Sequence, residues 1–129
     1  MKYNKKIFII DDEENIRNAI KRMLRVSLPS VEVIETGNGE EALEIAKKER
    51  PELILLDVLM PGINGLQVLK DLKENESKEL RRIPVIMLTG VGNREVIAKS
   101  KRLGADDYIT KPFNEKIFLL KIKKYIDYS

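Results

Sequence analysis

Apolar residues alternate between two rhythms along this chain. Short unbroken runs stand at Ile7-Phe8-Ile9-Ile10, Leu53-Ile54-Leu55-Leu56 and Val85-Ile86-Met87-Leu88. Between them, apolar positions recur every three or four residues. Unbroken runs of this length fit parallel strands covered on both faces, and the longer period fits helices that bury one face. The first helical stripe is Ile16, Ala19, Ile20, Met23 and Leu24, broken by Pro29 and Ser30, after which Val31, Val33 and Ile34 predict a second strand. Gly37-Asn38-Gly39 turns into a second helix carrying Ala42, Leu43 and Ala46, and Pro51 ends it. The run at residues 53–56 stops at Asp57, a Met60-Pro61-Gly62 loop follows, and Leu66, Leu69 and Leu72 mark a third helix. After the run at residues 85–88 come Thr89 and Gly90. A fourth helix carries Val96, Ile97, Ser100 and Leu103, closed by Gly104 as its C-terminal cap. Tyr108-Ile109 is a short fifth strand, and a fifth helix begins near Asn114. No repeat, linker or low-complexity tract interrupts this order, which predicts a (βα)5 doubly wound α/β fold in a single domain, residues 1–129.

Composition narrows the chemistry. The 129 residues contain neither cysteine nor histidine. That excludes disulfides, thiolate zinc sites, Ser-His or Cys-His catalysis and a histidine phosphocarrier role. Aromatic residues are 5% of the chain, too few for a base-stacking surface. The formal charge is +3, and all of it lies after Thr110, where five lysines face Glu115 and Asp127. The rest of the chain is neutral, so direct nucleic-acid binding is not expected. No apolar run approaches a membrane span, and the start turns acidic too early for a signal peptide, so the expected location is cytoplasmic with no membrane contact.

In doubly wound sheets, ligands bind outside the carboxyl ends of the strands. Asp11 and Asp12 follow the first strand, Asp57 the third, Thr89 the fourth and Lys111 the fifth. Each has a plain alternative. An acidic pair after a strand commonly caps a helix, a threonine commonly sits in a turn, and a lysine is commonly solvated. Together they put three carboxylates, a hydroxyl and an ammonium in one crevice, which packing alone does not require. Three clustered carboxylates need protons or a cation, and an all-oxygen donor set favours Mg²⁺, with Mn²⁺ as the other candidate. A carboxylate can also act as a nucleophile toward phosphorus. This is a kit for phosphoryl transfer.

At these residues the chain resembles the receiver domain of bacterial two-component response regulators. The stretches IIDDEENIR, LILLDVLMPGINGLQVL, PVIMLTG and GADDYITKPF occur in the family's order and spacing. The resemblance implies a flavodoxin-like five-stranded parallel sheet in order 2-1-3-4-5. It implies that Asp57 is the phosphoacceptor, supplied by a phosphohistidine of a sensor kinase or histidine phosphotransfer protein. Asp12, Asp57 and the backbone carbonyl of Leu59 would bind Mg²⁺ directly, with Asp11 acting mostly through water. Thr89 and Lys111 would hold the phosphoryl group, and Thr89 with Tyr108 would form the switch. The Lys111-Pro112 bond is expected to be cis. Glu13 either tunes the site or is an ordinary first-turn charge. Leu59 and Val91 are apolar at positions that in the family flank the path of attacking water, so the resemblance implies a long-lived phosphoryl group.

Two other classes were weighed. A flavodoxin-type cofactor binder needs a phosphate-accepting loop after the first strand, where this chain has two aspartates. A haloacid-dehalogenase-like phosphohydrolase, the stronger alternative, uses an Asp-x-Asp arrangement after the first strand, whereas here the pair is adjacent. A signalling domain with only self-phosphorylation and self-dephosphorylation is therefore expected, not a turnover enzyme. In the last helix, Phe118, Leu119, Ile122, Tyr125 and Ile126 form a core stripe. Ile117 and Leu120 fall off it beside Lys121 and Lys124. That predicts an output surface on the fourth helix, fifth strand and fifth helix, for a downstream protein or a second copy.

Overall fold

Five strands, β1 (Lys5–Ile10), β2 (Val31–Thr36), β3 (Leu53–Asp57), β4 (Val85–Gly90) and β5 (Asp107–Lys111), pair in parallel in the order β2-β1-β3-β4-β5. The structure is a computed structural model that describes residues 5–60, 62–90 and 94–126. Its helices are α1 (Glu14–Ser27), α2 (Gly39–Glu49), α3 (Gly65–Lys73), α4 (Lys78–Arg82), α5 (Arg94–Arg102) and α6 (Glu115–Tyr125). The sheet order and the alternation are those expected. The helix count is corrected by one. The five-residue α4 sits between α3 and β4, so the fourth and fifth helices of the sequence reading are α5 and α6. The Ser77 hydroxyl accepts from the Leu80 amide and caps α4, while Leu80 is its buried side chain. One apolar residue among charges leaves no periodicity to read.

Side chains alternate along each strand, so the sheet divides the core into two layers. Ile7, Ile9, Leu53, Leu55, Ile86, Leu88 and Ile109 pack with α1 and α6. Phe8, Ile10, Ile54, Leu56, Val85 and Met87 pack with α2, α3 and α4. All four residues of the run Ile7–Ile10 are fully buried. At about 1.5–3 kcal/mol for each such side chain, β1 is the spine of the fold.

The last helix follows its predicted stripe. Phe118, Ile122 and Ile126 are buried, Leu119 and Tyr125 pack against them, and Ile117 and Leu120 are exposed by 50% and 65%. Gly104 caps α5 at φ +103°, its amide donating to the Lys101 carbonyl, while Leu103 falls just past the helix end. The Lys111-Pro112 peptide is cis, as expected. No helix among the described residues is long and apolar enough to cross a membrane.

Candidate functional site

The strand order reverses between β1 and β3, which opens a crevice at their carboxyl ends. Asp11 leaves β1 into it, and Asp57 is the last residue of β3. Asp57 pairs in register with Leu88, so Thr89 stands one residue further along β4, and Lys111 ends β5 beside Gly90. The sheet register thus assembles the site from residues up to 100 positions apart.

Carboxylate oxygens of Asp11, Asp12 and Asp57 lie within 4.8 Å of one another. Asp11 is wholly buried, Asp57 nearly so, and Asp12 is exposed at the mouth. Lys111 Nζ reaches Asp11 Oδ2 at 2.9 Å, Asp57 Oδ1 at 3.2 Å and Glu13 Oε1 at 3.7 Å. Asp11 Oδ1 accepts from the Glu13 amide at 2.9 Å, a turn that leads the chain out of β1, while the N-cap of α1 is Glu13 with no side-chain cap bond, so the acidic pair does not cap the helix. Asp57 Oδ1 also accepts from the Leu59 amide at 3.4 Å.

Burial, reinforced by the Asp11 carboxylate, pushes the Asp57 carboxyl up to about 7 against the opposing pull of Lys111. Burial alone would lower Lys111, but its bond to Asp11 and the charges of Asp11 and Asp57 raise it above the usual ammonium value. With all three aspartates ionised, one ammonium faces three carboxylates, and the deficit in positive charge is two. The donor set is all oxygen, the spacing suits one small ion, and one carboxylate is open to solvent. These features fit a hard divalent cation.

Thr89 is buried, its hydroxyl donating its one proton to the Gly90 carbonyl over a long 3.4 Å, a weak bond that a stronger acceptor can replace. Tyr108 is half-buried, with Lys101 and Lys121 ammoniums 5.8 Å and 4.7 Å from its ring centre. Lys121 is not the solvated lysine of a free helix face. It donates to Asp107 Oδ1 at 3.1 Å and to the Tyr108 carbonyl at 2.6 Å, which ties α6 to β5. Lys124 is exposed, and Leu59 is 70% exposed at the rim of a cavity of about 300 Å³ lined by Val58, Leu59, Met60 and Asn64. Val91 lies outside the described residues.

Two residues that shape the site escaped the sequence reading. A Cβ at Gly65 would run into the Asp57 carbonyl, so only glycine lets α3 start this close to the acceptor. The Gly65 amide uses that approach to bond the Val58 carbonyl at 2.9 Å. Arg17, on α1, donates to the Asp11 carbonyl at 2.7 Å. The glycine at the start of a helical stripe was the available signal for the first; the second had none, because an arginine on an amphipathic helix usually faces water.

A parallel sheet in this order, with an acidic crevice at its reversal point and a lysine reaching in from the last strand, describes a response-regulator receiver. The chain belongs to the response regulator receiver domain family, which it matches over residues 7–123. It is 38% identical over 120 residues to the alkaline phosphatase synthesis transcriptional regulatory protein PhoP of Bacillus subtilis, covering 93% of this chain and 48% of that protein. Among solved structures it is similar to the chemotaxis response regulator CheY4 of Vibrio cholerae. The TM-score is 0.84 at 29% identity, over 95% of this chain and 98% of that one. It is also similar to the signal receiver domain of a signal transduction histidine kinase from Syntrophus aciditrophicus, with TM-score 0.83 at 32% identity over 95% and 90% of the two chains. The chain spans about half the length of the curated relatives it matches. The phosphohydrolase alternative finds no support in the family match.

Proposed function

We propose that this chain is a phosphorylation-dependent signalling switch whose acceptor is Asp57. The donor is a phosphohistidine on a sensor kinase or a histidine phosphotransfer protein, and the whole chain acts as one cytoplasmic receiver domain. The observation that carries this reading is the charge imbalance at the reversal point, three carboxylates against the Lys111 ammonium. An Asp57 oxygen attacks phosphorus, an O–P bond forms as the P–N bond breaks, and the imidazole leaves with the electron pair and takes up a proton. Asp12, Asp57 and the Leu59 carbonyl would hold Mg²⁺ directly, and Asp11 through water. Bound Mg²⁺ (or Mn²⁺) would neutralise the carboxylates and share a phosphoryl oxygen.

Lys111 then exchanges Asp57 for a phosphoryl oxygen, and the Thr89 hydroxyl donates to another. As Thr89 moves, the Tyr108 ring follows inward and leaves the two lysines that flank it. The signal departs through α5, β5 and α6. Exposed Ile117 and Leu120 lie there beside Lys121 and Lys124, and the partner is an acidic surface with an apolar centre, on a second copy or another protein. This chain itself makes no direct contact with nucleic acid, and its chemistry is limited to gaining and losing one phosphoryl group.

Intact-mass measurement with a small phosphodonor tests the acceptor. Wild type should gain one phosphate only with Mg²⁺ or Mn²⁺ present, and equal labelling of Asp57→Asn would sink the assignment. For the output face, Ile117→Glu with Leu120→Glu should abolish phosphorylation-dependent association in sedimentation while Asp57 labels normally. Association like wild type would move the output surface elsewhere.

A further inference from the structure

The Asp11-Asp12 main chain is held from outside the crevice. Arg17 Nη1 donates to the Asp11 carbonyl at 2.7 Å, while its Nε donates to Glu35 Oε1 at 2.9 Å. Glu35, near the end of β2, is held in turn by Lys21 from one turn further along α1. The Arg17 side chain is 15% exposed, and its guanidinium lies over Gly37, where an added Cβ would come within 2.9 Å of Nη1. The Asp11 amide meanwhile donates to the Thr36 carbonyl at 3.1 Å. Both polar groups of the Asp11 main chain are therefore tied to the β2 end of the sheet, one directly and one through Arg17.

This arrangement is unusual on electrostatic grounds. A cationic guanidinium placed behind a cation-binding crevice opposes binding by charge alone. Its cost is offset by Glu35, so what remains is geometry: a planar two-pronged donor that fixes one carbonyl relative to one carboxylate. Fixing the Asp11 carbonyl sets the plane of the Asp11–Asp12 peptide, and that plane aims both side chains.

We propose that Arg17 is a positioning residue for the acidic crevice, its guanidinium clamped by Glu35 over Gly37 so that the Asp11–Asp12 peptide presents its two carboxylates to Mg²⁺. The inference rests on the Mg²⁺-dependent reading above. Groups that orient metal ligands typically matter by about 10–100-fold in metal affinity, and a clamp acting through the main chain belongs near tenfold.

The test is Mg²⁺ titration by calorimetry on the full chain, with folding checked by circular dichroism. Arg17→Ala and Arg17→Lys should each weaken Mg²⁺ by about tenfold, because lysine keeps the charge but not the fork. Gly37→Ala should do the same with Arg17 intact, since the new methyl pushes the guanidinium off Asp11. Gly37 has no positive φ, so alanine fits its backbone. Lys21→Met loosens Glu35 without touching Asp11, and should weaken Mg²⁺ less than Arg17→Ala does. Charge alone predicts the opposite sign for Arg17→Ala. Tighter or unchanged Mg²⁺ binding in that variant, or unchanged binding in a folded Gly37→Ala, overturns the proposal. Wild type that binds no Mg²⁺ would overturn the reading beneath it instead.

Discussion

Two lysines anchor opposite ends of the sheet, and they differ in the carboxylates they face. At the amino end of β4, Lys73 donates to the Ile83 carbonyl at 2.9 Å, the Arg81 carbonyl at 3.3 Å and Asp106 Oδ2 at 3.1 Å. Asp106 Oδ2 also accepts from the Val85 amide at 2.8 Å. One cation meets one anion, and the remaining donors meet neutral carbonyls. At the carboxyl end, Lys111 meets Asp11 and Asp57 with Asp12 alongside and Glu13 at the rim. The two ammoniums are similarly shielded, with side chains 14% and 17% exposed. Burial of the lysine therefore does not separate structure from function here; closure of charge does, together with the burial of Asp11 and Asp57 at the upper end while Asp106 is open to water at the lower. The lower cluster is complete and braces α3, α4 and β5. The three aspartates of the upper cluster, once ionised, leave it two positive charges short, and it needs something from solution.

Removing each lysine tests that distinction most strongly. Lys73→Met should destabilise the chain by about 1 kcal/mol, since it removes the donor from two carbonyls while Asp106 keeps the Val85 amide and access to water, and Mg²⁺ should not alter the deficit. Lys111→Met should cost more in metal-free buffer, about 2–3 kcal/mol, because the carboxylates it leaves, Asp11 and Asp57, are buried. There, however, removing a positive charge tightens Mg²⁺, so millimolar Mg²⁺ should recover much of the loss by linkage. Urea melts with and without Mg²⁺ would measure both. A deficit in Lys111→Met that ignores Mg²⁺ would erase the contrast.

A somewhat smaller effect follows from pH. The Asp57 carboxyl stands at about 7 against an ordinary value of 3.8. Between those values the folded chain keeps a proton that the unfolded chain releases, so metal-free stability falls as pH rises and levels off above about pH 7. Asp57→Asn has no such titration. It should match wild type near pH 4 and exceed it by about 2 kcal/mol near pH 8, less than the full shift implies because Lys111 and water relax around the charge. A constant gap across this range would mean that Asp57 is not the group that titrates.

The two ends were not equally legible in the sequence. The upper one announced itself because apolar runs stop abruptly at Asp11, Asp57 and Thr89, and the sheet rule gathers strand ends. The lower brace was invisible. Lys73 is the last residue of a helix and Asp106 precedes a short strand, and nothing in their spacing pairs them. For the same reason Arg17 carried no signal, and Lys121 fell beside Ile117 and Leu120 as part of a free face. Each acts through a long-range bond made only when the sheet register is complete. The five-residue α4 had one buried side chain to betray it, below what any periodicity resolves. Element order and strand-end chemistry are local information, whereas side-chain bracing is not.

The smallest predicted effect concerns the rate at which the upper end resets. Leu59 follows Asp57 by two residues and is 70% exposed, whereas Leu80 at the lower end is 3% exposed and fills the core. A polar residue at Leu80 would cost several kcal/mol, but at an exposed position the change is usually within about 0.5 kcal/mol. Leu59 can therefore be changed without disturbing the fold, and its apolar side chain gives an attacking water nothing to bond. Leu59→Asn supplies a donor and an acceptor at the mouth of the crevice, where they orient that water toward phosphorus. Dephosphorylation should quicken by about three- to tenfold, which is about 0.7–1.4 kcal/mol in the barrier. The measurement is decay of the phosphorylated mass after the donor is removed by rapid desalting, at fixed Mg²⁺. Stability by urea melt should stay level in the same variant. A rate that is unchanged or slower would mean that the Leu59 side chain does not guard the phosphoryl group, and that its exposure serves contact with a partner instead.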